Sequence, residues 1–220
     1  MLKVLVIAPH ADDETLGCGG TLLRHIAEGD RVFWAIVTTP QEQAGFSLSM
    51  VKEKKRQIDV VAKLYGFAGV FPIGLAATEL LEIPRRETVQ EIKTVIDAVT
   101  PEIVYIPSRF DAHTDHQVVF DATVAASKWF RSPSIRELLC YETLSETNFS
   151  LGGSAFNPNL FLDISPYLKL KQEILGNYVT EISEHPFPRN LRAIRALAEL
   201  RGSQSGFIAA EGFEIIFQRR

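Results

Sequence analysis

The chain has 220 residues, 46% of them apolar and 23% charged; this fits one domain with its own core and excludes a disordered or low-complexity chain. Lys and Arg total 23 against 27 Asp and Glu, a net charge of −4, so no global charge favours nucleic acid or an anionic membrane. The only cysteines, Cys18 and Cys140, make no disulfide framework, and a reducing compartment is the simpler expectation. The N-terminal apolar run is stopped by Pro9, His10 and two aspartates, so it does not read as a signal peptide, and no stretch is long enough for a membrane span. The expected location is the cytoplasm.

Strand and helix signals then alternate. Val4 to Ala8 is a continuous apolar run, as expected of a strand buried on both faces. Leu16, Gly19, Gly20, Leu23 and Ala27 recur at helical spacing, with Gly29 as a stop. Val32 to Val37 predicts a second strand. Ile58, Val61, Ala62 and Tyr65 predict a helix before Gly66, and the basic run Lys52 to Arg56 reads as its solvated face. Val70 to Ile73 predicts a short strand. Val89, Ile92, Ile96 and Val99 give a helical face ended before Pro101. Ile103 to Ile106 is a fourth strand, followed by a helix over Val118 to Ala126.

The last third is less regular. Leu138 to Thr143, Leu160 to Asp163 and Phe213 to Phe217 predict strands, with a polar loop over 145–159. Helices are expected around Leu170 to Tyr178 and Leu191 to Leu197. The expected fold is α/β, a Rossmann-like, mostly parallel sheet with helices on both faces. Residues 1–220 read as one domain. In such sheets ligands sit outside the carboxyl ends of the strands, so the loops after Ala8, Val37, Ile73 and Ile106 share one edge.

Two clusters on that edge carry chemistry. Pro9-His10-Ala11-Asp12-Asp13-Glu14 follows the first strand directly. Three carboxyl groups and an imidazole are costly to bury unless they are paired or hold a metal. His113-Thr114-Asp115-His116 follows the fourth strand, so three of the five histidines fall on one rim. Imidazole with carboxylate suits Zn²⁺, which takes three protein ligands and keeps one position open at catalytic sites. His10 and Asp13 can share an ion in a tight loop, and one of the distant histidines completes the set. Asp12 and Asp13 cannot easily both coordinate from adjacent positions, which leaves one carboxylate as general base. The remaining histidine can stabilise an oxyanion, with Asp115 orienting it. Taken separately, each cluster has a plainer explanation: acidic residues suit a helix N-terminus, and histidines suit a solvated loop. Their coincidence favours the metal.

These paired motifs resemble the GlcNAc-phosphatidylinositol deacetylase family (PIG-L, LmbE-like), whose hallmark is Ala-His-Pro-Asp-Asp-Glu followed later by His-x-Asp-His. The segment from Arg201-Gly202 to Ala210-Glu211-Gly212-Phe213 also resembles the family's closing stretch. Ala11 stands where the family has proline. The resemblance implies a Rossmann-like, zinc-dependent N-deacetylase acting on N-acetylglucosamine-type amides. It implies His10, Asp13 and His116 as zinc ligands and Asp12 as general base. His113 would polarise the carbonyl with Asp115 behind it, and Glu14 would support the ligands. The nucleophile would be a metal-activated water. Another divalent metal, such as Fe²⁺, also suits this donor set.

The expected partner is a small N-acetyl amino sugar or its conjugate. Nucleic acid is not expected, and a homo-oligomer is left open. Two alternatives stand beside this reading: a metal-dependent amidase on a non-sugar N-acyl conjugate, and a non-catalytic sugar- or nucleotide-binding module. The segment from Pro72 to Arg86 is expected to line the pocket. Arg109 is the candidate substrate contact, with Arg85 and Arg86 as further cations. Arg201 and Glu211 are read as a structural pair, with a substrate role as the alternative. His25 is read as a surface or snorkelled residue and Cys18 as a buried core residue, and His185 is assigned no role.

Overall fold

The computed structural model describes residues 1–149 and 156–220, so the expected loop over 145–159 falls partly outside the described residues. The chain runs β1 (Lys3–Ala8), α1 (Asp13–Ala27), β2 (Arg31–Thr39), α2 (Leu48–Tyr65), β3 (Gly69–Ala76), α3 (Arg85–Val99), β4 (Ile103–Ile106) and α4 (Thr114–Ala126). It continues with β5 (Glu137–Tyr141), β6 (Leu160–Asp163), α5 (Leu168–Leu175), α6 (Leu191–Ser205) and β7 (Ala210–Gln218). Every strand expected from the sequence is present.

The strands form one seven-stranded sheet in the order β3-β2-β1-β4-β5-β7-β6. β1 to β5 run parallel, and β7 runs antiparallel to both of its neighbours. Pleating sends alternate side chains to opposite faces and so builds two cores. Val4, Val6 and Trp34 pack with α1, α2, α5 and α6; Leu5, Ile7 and Ala35 pack with α3 and α4. No helix among the described residues is long and apolar enough to cross a membrane.

α2 begins ten residues before the apolar stripe at Ile58, with Ser47 capping the Met50 amide at 3.3 Å. Its first turns bury little, so periodicity is silent there.

From β1 the chain winds outward to β2 and β3, then returns to place β4 on the other side of β1. The loops after β1 and β4 therefore diverge above the middle of the sheet and open a crevice between them. Both histidine clusters lie in these two loops.

α1 is kinked at Cys18, where φ is −139°. Gly17 packs against the Tyr141 ring, and a Cβ on Gly20 would come within 2.7 Å of Ile164. These close approaches account for the glycines. Polar groups around the kink are answered by a buried ion pair. Glu211 accepts the Gly20 amide at 2.9 Å, the Thr21 amide at 2.8 Å and Lys171 Nζ at 2.7 Å. Lys171 also donates to the Leu16 carbonyl at 3.0 Å. Glu211 thus pairs with Lys171, whereas Arg201 makes a bidentate pair with Glu142 at 2.6 Å for each bond. The expected Arg201–Glu211 pair does not form, because Glu211 points under α1.

Glu211→Ala strands Lys171 and two helix amides away from water. The expected loss is about 3–5 kcal/mol, the range for breaking a buried pair. Chemical denaturation against the parent protein measures it, and a loss below about 1 kcal/mol would contradict this account.

Candidate active site

His10, Ala11 and Asp12 leave the end of β1 in a tight turn. The turn is pinned from β2, where both the amide and the hydroxyl of Thr38 donate to the Pro9 carbonyl. Asp12 has φ 156° and ψ −27°, outside the regions open to most L-residues. Such backbone persists only where its surroundings over-determine it. Here Glu14 accepts the Asp12 amide at 3.1 Å, and Asp13 Oδ2 accepts the His10 amide at 2.9 Å.

Asp13 Oδ2 lies 3.3 Å from His10 Nδ1 and 3.3 Å from His116 Nε2. One ligand atom from each of these residues lies within 4.8 Å of the others, close enough for one ion. The outward nitrogens are held from behind. His10 Nε2 is 3.0 Å from Asp115 Oδ2, and His116 Nδ1 is 2.7 Å from Asp111 Oδ2. With those nitrogens donating to carboxylates, the neutral rings would turn the lone pairs of His10 Nδ1 and His116 Nε2 toward Asp13. A carboxylate behind each histidine is the usual support of a metal ligand. The donor set and its backing fit a divalent cation.

His113 sits across from His10, with ring centroids 4.5 Å apart. Its Nδ1 accepts the Asp115 amide at 3.1 Å and caps α4, which assigns the proton of the neutral ring to Nε2. Burial lowers its pKa, and the neighbouring His10 and His116 lower it further. His113 is thus a neutral N–H donor. The Asp115 carboxylate does not touch it. That carboxylate turns instead to His10 and to the Thr78 amide at 2.8 Å, so the expected support of His113 by the Asp115 side chain is replaced by support from its backbone.

Asp12, Asp13, His10, His113 and His116 line one cavity of about 190 Å³. Its outer wall carries Lys54, Glu146, Glu181 and Arg189, none of them singled out from the sequence as site residues. Arg189 Nη1 lies 3.2 Å from Asp12 Oδ2 and 3.6 Å from Glu181 Oε2. Lys54 pairs with Glu181 and donates to the Ala11 carbonyl at 3.4 Å. The Lys52 to Arg56 run is therefore not wholly a solvated face. From the Pro72 to Arg86 segment only Ala77 and Thr78 reach the cavity. Arg109 does not line it; it pairs with Asp121 at 2.8 Å on the surface, and Arg85 approaches the same carboxylate. Cys18 is fully buried in the core. His25 is half-buried between Asp30 and the Tyr105 hydroxyl, both at 2.9 Å.

The site holds more buried acid than base. Burial raises Asp12 to about 7, and the charge of Asp13 adds to the effect. Burial likewise raises Glu14 to about 8, although Thr15 and Tyr178 donate to its carboxylate. Burial opposes charge on His10, but hydrogen bonds to Asp115 and Asp13 outweigh it and raise the ring to about 9. His116 is raised in the same way against burial, by the charge of Asp13 and its bond to Asp111. Without a cation, protons balance the cluster.

The direction of the resulting pH dependence follows. The raised histidines add stability that is fully present below their unfolded value of 6.5 and is lost through about 9. The raised carboxyls add stability that fades as pH climbs through about 7 and 8. Chelator-treated protein should therefore melt at lower temperature at about pH 9 than at about pH 6.5. Added Zn²⁺ should flatten that slope, because the cation replaces the protons. A melting temperature that stays level or rises without metal would contradict this.

Residues 5–127 match the family model described as GlcNAc-PI de-N-acetylase. The chain is 27% identical over 227 aligned positions to a diacetylchitobiose deacetylase of Thermococcus kodakarensis, covering 97% of this chain and 83% of that protein. Among solved structures it resembles a conserved protein of Thermus thermophilus, with a TM-score of 0.79 at 24% identity over 100% of this chain and 97% of that one. It also resembles the N,N'-diacetylchitobiose deacetylase of Pyrococcus horikoshii, with a TM-score of 0.78 at 20% identity over 97% and 83%. At those identities the structural likenesses speak to the fold. The family match spans both histidine clusters and more than half of the sequence, and the chain belongs to the GlcNAc-PI de-N-acetylase (PIG-L) family of hydrolases.

Proposed function

We propose that this protein is a metal-dependent N-deacetylase that hydrolyses the acetamide of an N-acetylglucosamine-type sugar or sugar conjugate, with Zn²⁺ as the metal. One observation carries the reading. Two imidazole nitrogens and a carboxylate converge on one point, and a further carboxylate, Asp12, and a neutral imidazole N–H, His113, line the same cavity. The polar outer wall of the cavity suits sugar hydroxyls. The name of the Thermococcus relative points to the same substrate class.

His10, Asp13 and His116 would hold the cation. When bound, it supplies Lewis acidity, polarising the amide carbonyl and making water a nucleophile at neutral pH. Asp12 takes the proton of the attacking water. Arg189 holds Asp12 Oδ2, which leaves Oδ1 for that proton. His113 Nε2–H donates to the carbonyl oxygen as it gains charge. When the C–N bond breaks, Asp12 returns the proton to the departing nitrogen. The products are acetate and the free amine.

Asp12→Asn should retain bound metal and lose about 10²–10⁴-fold in kcat, the usual weight of a general base. Near-parental turnover would sink that role. His116→Ala should lose metal on dialysis, measured by elemental analysis, and retained zinc would remove it from the ligand set. The reaction itself is tested by acetate release from N-acetylglucosamine, its oligosaccharides and N-acetyl amino acids, with and without Zn²⁺. Turnover of the amino acids alone would replace the sugar reading with a general amidase.

A further inference from the structure

A second cavity adjoins the first. It measures about 440 Å³ and lies between α2 and the edge strand β3. Val51 and Ile58, two turns apart on α2, form one wall. Val70 and Pro72, alternate residues on one face of β3, form the other. Ile58 and Val70 are the half-buried rim of the main core, so the floor is apolar and fixed by packing. Lys55 and Asp59 stand at its border.

Pro40 and Lys54 line this groove and the catalytic cavity alike. The two spaces therefore adjoin at these residues, a small chamber that carries the ionisable groups beside a larger, mainly apolar one. Lys54 also fixes the side of entry. Its ammonium reaches the Ala11 carbonyl, beside Asp12. If His113 meets the acyl oxygen and Asp12 serves the amine, the groove lies on the amine side of the scissile bond.

We propose that the groove between α2 and β3 is a subsite for an apolar aglycone, so that the preferred substrates are N-acetylglucosaminides carrying an alkyl or aryl group. The assignment of the amine half to this side rests on the deacetylase reading. The sugar ring occupies the polar chamber near Glu181 and Arg189, and the aglycone runs past Lys54 along Val51 and Ile58. Each methylene removed from water contributes up to about a fourfold gain in affinity.

The test has a binding arm and a kinetic arm. In the first, calorimetry measures Kd for methyl, butyl and hexyl glucosaminides, the amine products, which need no turnover. Kd should fall about two- to fourfold per methylene until the groove is filled. Val51→Glu should bring the methyl-to-hexyl ratio close to one. Should that variant fail to fold, as read from its melting temperature, Val51→Thr keeps the shape and should still reduce the ratio. A Kd independent of chain length, or a ratio unmoved by either variant, overturns the subsite.

In the kinetic arm, KM of the matching N-acetyl glycosides should follow the same series. A preference that follows the length of the N-acyl chain instead overturns the assignment to the amine half. Chain-length-dependent binding with no deacetylation leaves the groove standing and removes the reaction. Deacetylation with flat binding does the reverse.

Discussion

Burying acid in this fold demands compensation, and most of the site follows from that demand. Asp12, Asp13, Glu14, Asp111 and Asp115 are all buried within two adjoining loops. Desolvation penalises each charge, and only Lys54 and Arg189 stand nearby as fixed cations among the described residues. Such a cluster is stable only if it holds protons or a metal. The histidines serve in both states. Each has one nitrogen on a backing carboxylate and the other turned towards Asp13, so one arrangement suits the proton-filled and the cation-filled site. A cation bound there would find its ligand geometry already imposed by the hydrogen bonds.

Much of this was legible in the sequence, because β1 and β4 flank the sheet's switch point and their exits carry the motifs. His10, Asp12, Asp13, His113 and His116 are short-range features of two loops. Any fold that aligns β1 with β4 brings them together, so topology plus spacing sufficed. Asp115 was found, but its partner was not. A side chain two residues from His113 was expected to turn back to it, whereas the Thr78 and Leu80 amides draw it towards β3 and His10.

Other participants left weaker traces. Asp111 precedes the second motif as an ordinary loop aspartate, and only the orientation of the His116 ring shows its use. Lys54 hides in a basic run, on a stretch of α2 that buries too little to show a period. Glu181 and Arg189 come from the irregular stretch between α5 and α6, where no pattern links them to residues far earlier in the chain. Arg109 misled for the opposite reason. It is close to the motif in sequence, yet Asp121 on the outer face of α4 satisfies it. Proximity in sequence located the groups at the centre of the candidate site, while Lys54, Glu181 and Arg189, which line its wall, come from distant segments.

The pair formed by Lys171 and Glu211 has a bearing on the order of events in the cell. Gly20 and its carboxylate partner are 191 positions apart, and β7 is the last strand of the sheet. A nascent chain can release both histidine motifs from the ribosome long before the segment that satisfies the bend in α1. Until β7 inserts antiparallel beside β5, the amides of Gly20 and Thr21 lack their acceptor and Lys171 lacks its counter-charge. Closure of the bend in α1, and of the candidate site at that helix's N-terminal end, therefore waits until β7 has joined the sheet.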